Sequence, residues 1–95
     1  MFDRVDNNQK EIVGFLRRIG CTVVVTSSVK GFVDIVVGLK GVNYLFEIKS
    51  KSGKLTEKQK ELHDSWRGSI HIVRSIEDCA EVLGLSKILG FEVKK

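Results

Sequence analysis

Residues 32–49 read Phe-Val-Asp-Ile-Val-Val-Gly-Leu-Lys-Gly-Val-Asn-Tyr-Leu-Phe-Glu-Ile-Lys, two β-branched and aromatic runs separated by a glycine-bounded break. This pattern predicts a β-hairpin, and a hairpin constrains its surroundings because strand alternation assigns every side chain to one face. The turn is Gly38-Leu39-Lys40-Gly41. With Lys40 and Gly41 as its loop, Leu39 pairs with Val42 and, counting outward, Asp34 stands opposite Glu47. Residues opposed in this way have Cβ atoms about 4.5–5.5 Å apart. Lys49 lies two residues beyond Glu47 and shares its face, as do Val36 and Leu45. The hairpin therefore gathers two carboxylates and a lysine at the border of an apolar surface.

The flanking sequence supplies the remaining elements. Ile12, Val13, Leu16 and Ile19 recur at helical spacing, so a first helix is expected over about Asp6 to Ile19, with Asp6 as N-cap and Gly20 as its stop. Cys21 to Thr26 reads as a strand and Ser27 to Gly31 as a turn. Phe32 to Val37 and Val42 to Lys49 form the arms of the hairpin. Thr56 and Gln59 have the spacing of a capping box, which starts a second helix running to about Trp66. Ser69 to Arg74 is a fourth strand, and Ile76 to Leu83 a third helix with Glu77 and Asp78 in its first turn. The tail from Leu85 to Lys95 reads either as a short strand or as an arm that packs on a neighbour. The order is α-β-β-β-α-β-α. Strands one to three form an antiparallel meander, and the fourth, reached through a helical crossover, runs parallel to the third. The fold class is thus α/β, a mixed four-stranded sheet with helices on both faces.

Ninety-five residues are expected to form a single domain over 1–95. A hydrophobic content of 42% argues against wholesale disorder. The net charge of +4 suits contact with phosphate backbones, which lysine and arginine neutralise. Cys21 and Cys79 belong to no CxxC, and with His63 and His71 they make no zinc pattern. They are expected to be reduced structural thiols in a cytoplasmic protein. No signal-peptide run and no apolar stretch of membrane-spanning length is seen, so no membrane partner is expected.

Two carboxylates face to face repel one another, which a purely structural hairpin gains nothing from. A divalent cation reverses that interaction. Mg²⁺ takes oxygen ligands, typically one or two carboxylates, with substrate phosphate and waters filling the rest. Such a cation acidifies water and neutralises phosphate charge, while Lys49 is placed to orient the attacking water or stabilise developing negative charge. The competing reading makes Asp34 and Glu47 solvated residues at an open sheet edge.

The local sequence bears on that choice. Gly31-Phe32-Val33-Asp34-Ile35-Val36-Val37-Gly38, followed thirteen positions after Asp34 by Glu47-Ile48-Lys49, resembles the signature of the PD-(D/E)XK nuclease superfamily. Gly53 to Gln59, Asn8 to Ile12, and Ile72 to Asp78 are similar to segments of its VRR-NUC branch, so the resemblance spans about Asp6 to Leu83. It implies a restriction-endonuclease-like αβββαβ core and a Mg²⁺- or Mn²⁺-dependent endodeoxyribonuclease. Asp34, Glu47 and the Ile48 backbone carbonyl would be metal ligands, Lys49 the catalytic lysine, and Gln59 the helical glutamine beside the site. Small members of this branch resemble phage or bacterial proteins that cut branched or junction DNA as homodimers, which implies the cytoplasm of a bacterial or phage-infected cell. Two positions depart from the family pattern. Val33 replaces the usual proline, and the inward position of the first helix is Gln9, which offers the metal a neutral amide oxygen where an acid is common. Asp6, about one turn earlier, is a possible substitute.

Trp66 reads as core or dimer interface, His63 as a surface histidine without a role, and Lys51, Lys54, Lys58 and Lys60 as a phosphate-contacting patch. The rival to the endonuclease is a non-catalytic DNA-binding module keeping the nuclease fold. A second rival is a protein-interaction module with a coincidental ExK.

Overall fold

The computed structural model describes the backbone of residues 3–91 and the side chains of residues 8–91. The elements are α1 (Asp3–Arg18), β1 (Thr22–Val25), β2 (Ile35–Leu39), β3 (Val42–Ile48), α2 (Glu57–Ser65), β4 (Ile70–Val73), α3 (Ile76–Val82) and α4 (Ser86–Leu89). The strands form one sheet in the order β1-β2-β3-β4. The first three are antiparallel neighbours and β4 runs parallel to β3. This is the mixed sheet and meander that the sequence implies. The tight link between β2 and β3 permits only antiparallel pairing, whereas α2 lets the chain return for a parallel one.

Alternation sorts the sheet into two faces. Val23, Ile35, Val37, Phe46, Ile48 and Val73 point to one side, where Ile12, Leu16, Cys79 and Ala80 from α1 and α3 close over them to form the core. Several of these side chains are wholly buried, among them Ile12, Leu16, Ile35 and Phe46. Both cysteines are free and buried. Burial pushes the Cys79 thiol up to about 12 and raises that of Cys21, so neither is a ready nucleophile. The opposite face carries Val24, Val36, Leu45 and Ile70 in one row across all four strands, each paired with the next. Glu47 follows Leu45 on that same face.

Three boundaries differ from expectation. Helix α1 begins at Asp3, so Asp6 lies inside the helix and does not cap it, and the Asp6 side chain is outside the described residues. Strand β2 begins at Ile35, not at Phe32. The ladder holds its register from Leu39–Val42 to Ile35–Phe46 and then breaks. The Asp34 N–H donates to the Phe46 carbonyl at 3.2 Å, out of step with that register, and the Ile48 N–H is taken by the Asp34 side chain. A side-chain acceptor has captured a ladder donor, and the strand pairing ends there. The tail, finally, is neither strand nor arm through residue 91. It folds into the single turn of α4, and Leu85 and Phe91 pack back onto the core, with Phe91 6.2 Å from Phe15. The remainder of the tail, residues 92–95, lies outside the described residues.

The hairpin loop places Lys40 at φ 51° and Gly41 at φ 81°. Two consecutive positive φ values define a type I′ turn, whose twist matches that of the strands it joins. Glycine takes this conformation freely, whereas lysine does so at a cost. Lys40→Asn, which gives the turn the favoured Asn-Gly pair, is expected to stabilise the protein by about 0.5–1 kcal/mol, read as a higher urea midpoint at unchanged slope.

Candidate active site

The end of the hairpin is where strand pairing stops, and the candidate residues collect there. Asp34 Oδ2 accepts the Ile48 N–H at 2.8 Å, and the Asp34 carbonyl accepts the Thr26 N–H at 2.8 Å. Thr26 Oγ1 also donates to the Val33 carbonyl at 2.7 Å, so the backbone on either side of this aspartate is tied to β1. An extended residue directs its N–H and its C=O to the same side of the strand. The Ile48 carbonyl therefore faces the same side as the N–H that Asp34 holds.

Glu47 is 0% exposed, a buried carboxyl on the sheet face opposite the main core. The competing reading, a solvated carboxylate at an open sheet edge, does not hold for Glu47. Burial is the main reason its pKa is pushed up to about 8. The hydrogen bond with the Asp34 carboxylate and that group's negative charge raise it further, while the Lys49 ammonium works in the opposite direction. Burial and the neighbouring Asp34 charge thus favour the protonated form of Glu47 at neutral pH when no cation is bound.

Helix α2 approaches Glu47 from the face opposite α1. Thr56 caps it: the Gln59 N–H donates to Thr56 Oγ1 at 3.2 Å, and the Thr56 N–H donates to Gln59 Oε1 at 2.9 Å. With the amide oxygen of Gln59 engaged, its NH₂ is left to point outward, and Nε2 donates to Glu47 Oε2 at 3.1 Å. The capping box that starts the helix therefore also aims the glutamine. His63, four residues on, brings Nε2 to 3.6 Å from Glu47 Oε1. Burial lowers the His63 pKa. The Lys49 charge lowers it too, and Asp64 opposes both. Glu47 Oε1 and His63 Nε2 are buried without a hydrogen-bond partner.

The loop after β3 is held from behind. Arg74 Nη1 donates to the Ser50 carbonyl at 2.6 Å and to the Gly53 carbonyl at 2.8 Å. Asn8 Nδ2 donates to the Lys49 carbonyl at 3.0 Å. These contacts hold the chain that carries Lys49 just past the end of the sheet. Gln9, by contrast, lines a groove with Val13, Arg17 and Val25, on the α1 side. Among the described residues no hydrogen bond joins it to Asp34 or Glu47.

The structure thus brings Asp34, Glu47, Ile48, Lys49 and Gln59 together, while Gln9 lines the groove beside Val25. It adds His63, whose spacing of four from Gln59 puts both on one face of α2. That spacing was the available sequence signal. Among the described residues no three His, Cys, Asp or Glu side chains converge into a metal cage. Two carboxylates and a backbone carbonyl suit a hard cation that keeps several waters. The buried, unpartnered Oε1 of Glu47 is the observation that fits one, because a carboxylate oxygen left without donors in an apolar setting is costly.

No protein-family model matches the chain, and no curated protein does. A solved structure described as a VRR_NUC domain superposes on it with a TM-score of 0.68, covering 85% of this chain and 95% of that one at 20% sequence identity. The chain has a VRR-NUC nuclease-like fold. In this VRR-NUC-like frame Glu47, Ile48, Lys49 and Gln59 lie on or between β3 and α2, with Asp34 beside them at the open end of the hairpin. No helix among the described residues is long and apolar enough to cross a membrane.

The raised Glu47 pKa has a consequence for the protein without metal. Between its ordinary value of 4.5 and about 8 the folded state keeps the proton and the unfolded state releases it. The folded state binds more protons across that window, so stability falls as pH rises. The slope should approach about 1.4 kcal/mol per pH unit for one proton. Glu47→Gln is expected to flatten it in urea titrations between pH 5 and pH 8. An unchanged slope would place the proton elsewhere.

Proposed function

We propose that this protein is a metal-dependent DNA endonuclease. The observation that carries the reading is the buried Glu47 carboxyl with its unpartnered Oε1, set against Asp34 at the point where the hairpin ladder breaks. A protein using this corner only for stability would gain by filling it with apolar side chains. The VRR-NUC-like fold supports a nuclease over an unrelated binding module.

In this reading Asp34, Glu47 and the Ile48 carbonyl hold Mg²⁺ or Mn²⁺. When bound, the cation neutralises charge on the scissile phosphate and acidifies water. Glu47 would have to lose its proton to serve as a ligand, so affinity should rise with pH through about 8. Gln59 fixes the Glu47 carboxylate through Oε2. Lys49, beside both carboxylates, orients the attacking water and balances the charge that builds on the phosphate. Lys51, Lys54, Lys58 and Lys60 are exposed on the loop and helix that follow, where they would contact the DNA backbone. The ion pair of Lys60 with Glu57 at 3.6 Å is solvent-exposed and does not compete strongly for that lysine.

The preferred substrate is branched or junction DNA, cut by a homodimer. The described residues contain one such constellation, so cutting two strands takes either two visits or two subunits, and a two-fold pair of sites matches the symmetry of a junction. Within the tail, Leu85 and Phe91 cover their own core, which leaves Ile88 and Leu89 as its exposed apolar surface. The row Val24–Val36–Leu45–Ile70 is a better surface. It borders the site and is incompletely covered, with Val24 56% exposed, and the Phe32–Trp66 pair extends it.

Asp34→Asn, Glu47→Gln and Lys49→Ala are each expected to abolish cleavage of flapped, forked and four-way DNA in Mg²⁺ or Mn²⁺ while leaving the fold intact. Cleavage at the wild-type rate by any of them would sink the assignment. DNA binding without cleavage by the wild type would favour the non-catalytic module. Light scattering at micromolar concentration should return twice the chain mass, and Val24→Asp together with Leu45→Asp should return one chain mass. A monomer that persists with junction DNA bound would defeat the dimer while leaving the single-site chemistry untouched.

A further inference from the structure

Helix α2 presents two polar side chains to Glu47, one turn apart on the same face, and each reaches a different carboxyl oxygen. Gln59 Nε2 meets Oε2 at 3.1 Å, and His63 Nε2 stands 3.6 Å from Oε1. Both atoms of the second contact are buried and neither has another polar partner. Orphaned buried groups are rare, because each forfeits hydration without compensation. Two that face each other are complementary if the imidazole carries its hydrogen on Nε2. Their separation is a few tenths of an ångström beyond the N–H···O range of about 2.7–3.2 Å, which a small side-chain rotation closes.

We propose that His63 is a positioning residue for Glu47. Its Nε2–H donates to Oε1 and, with Gln59 on Oε2, grips the carboxylate at two points so that its remaining lone pairs face the cation. A carboxylate has about four acceptor sites, so two donors leave two for a metal. His63 stays outside the ligand set, because its Nε2 faces the Glu47 carboxyl oxygen itself. Outer partners that orient a ligand are commonly worth about 10–100-fold in metal affinity. The proposal rests on the reading of Asp34 and Glu47 as a divalent-cation site. It gives α2 a part in that site which the glutamine alone does not explain.

The test compares His63→Gln, whose amide nitrogen reaches the position of Nε2, with His63→Leu, which keeps apolar bulk and offers no donor. Mn²⁺ affinity of the full chain is measured by calorimetry, and thermal unfolding in chelator reports the fold. His63→Leu should bind Mn²⁺ about 10–100-fold more weakly, with His63→Gln within about threefold of wild type, a difference smaller than one ordinary hydrogen bond. Should His63→Leu not fold, His63→Phe makes the same comparison. In the Mg²⁺-loaded wild type, ¹⁵N spectra should show the proton on Nε2. Equal affinity in wild type and both variants would overturn the positioning role and leave the metal site standing. Equal weakening by both variants would reduce His63 to packing and overturn it as well, as would a hydrogen-free Nε2 in the spectra. Wild-type protein that binds no Mn²⁺ would overturn both this inference and the reading on which it rests.

Discussion

A buried acid on the sheet face away from the main core organises this molecule. Glu47 sits on β3 between Leu45 and Lys49, wholly inaccessible to solvent, and its two oxygens are what α2 reaches for. Removing a carboxyl from water is expensive unless its lone pairs are met. The surroundings answer that need in part, with one amide from Gln59 and an unfinished contact to His63, and burial raises the Glu47 pKa. The part left unanswered is what gives the corner its chemical character. Apolar residues of similar volume would hold the same space with less penalty, so a carboxyl kept here points to work done by the charge.

Helix α2 illustrates how strongly the site and the fold depend on each other. None of its residues is fully buried, so it cannot be held as α1 is, by an apolar stripe pressed into the sheet. Its start is set by the Thr56–Gln59 capping box, and the same Gln59 side chain that closes the box also ties the helix to Glu47. Local helix formation and site assembly thus run through one amide group. On the other side of Lys49, Arg74 and Asn8 hold the backbone by its carbonyls. The two arrangements leave the lysine attached to fixed main chain while its own side chain remains half-exposed.

The strand break at Asp34 belongs to the same logic. A regular ladder through this position would have left the Ile48 N–H to a backbone carbonyl. Because the carboxylate takes it instead, the aspartate is fastened by one oxygen at the mouth of the hairpin. Preorganisation of this kind spares the site a reorganisation cost when a ligand arrives.

Much of this was legible in the residues alone. The glycine-bounded turn dictated the hairpin, its two-residue loop dictated the register, and period-two alternation then put Asp34, Glu47 and Lys49 on one face, because all of these are local rules acting within eighteen residues. The capping box was equally local. Lost to sequence reasoning were the features that depend on what packs against what. Alternation says which face Glu47 is on and is silent about whether water reaches it, since that depends on where α2 comes to rest. A helical wheel turned Gln9 inward, yet inward for α1 means the face of the sheet that Glu47 does not use, and the groove beside Val25 is where it lies. His63 read as a surface histidine because its own helix shows no buried stripe, and only the docking of α2 over β3 brings its ring to the acid. Local chemistry determined the strands, the turn and the residues that share a face. Tertiary packing alone decided which of them left water, and with that the pKa of Glu47 and the unpaired oxygen on which the proposed chemistry depends.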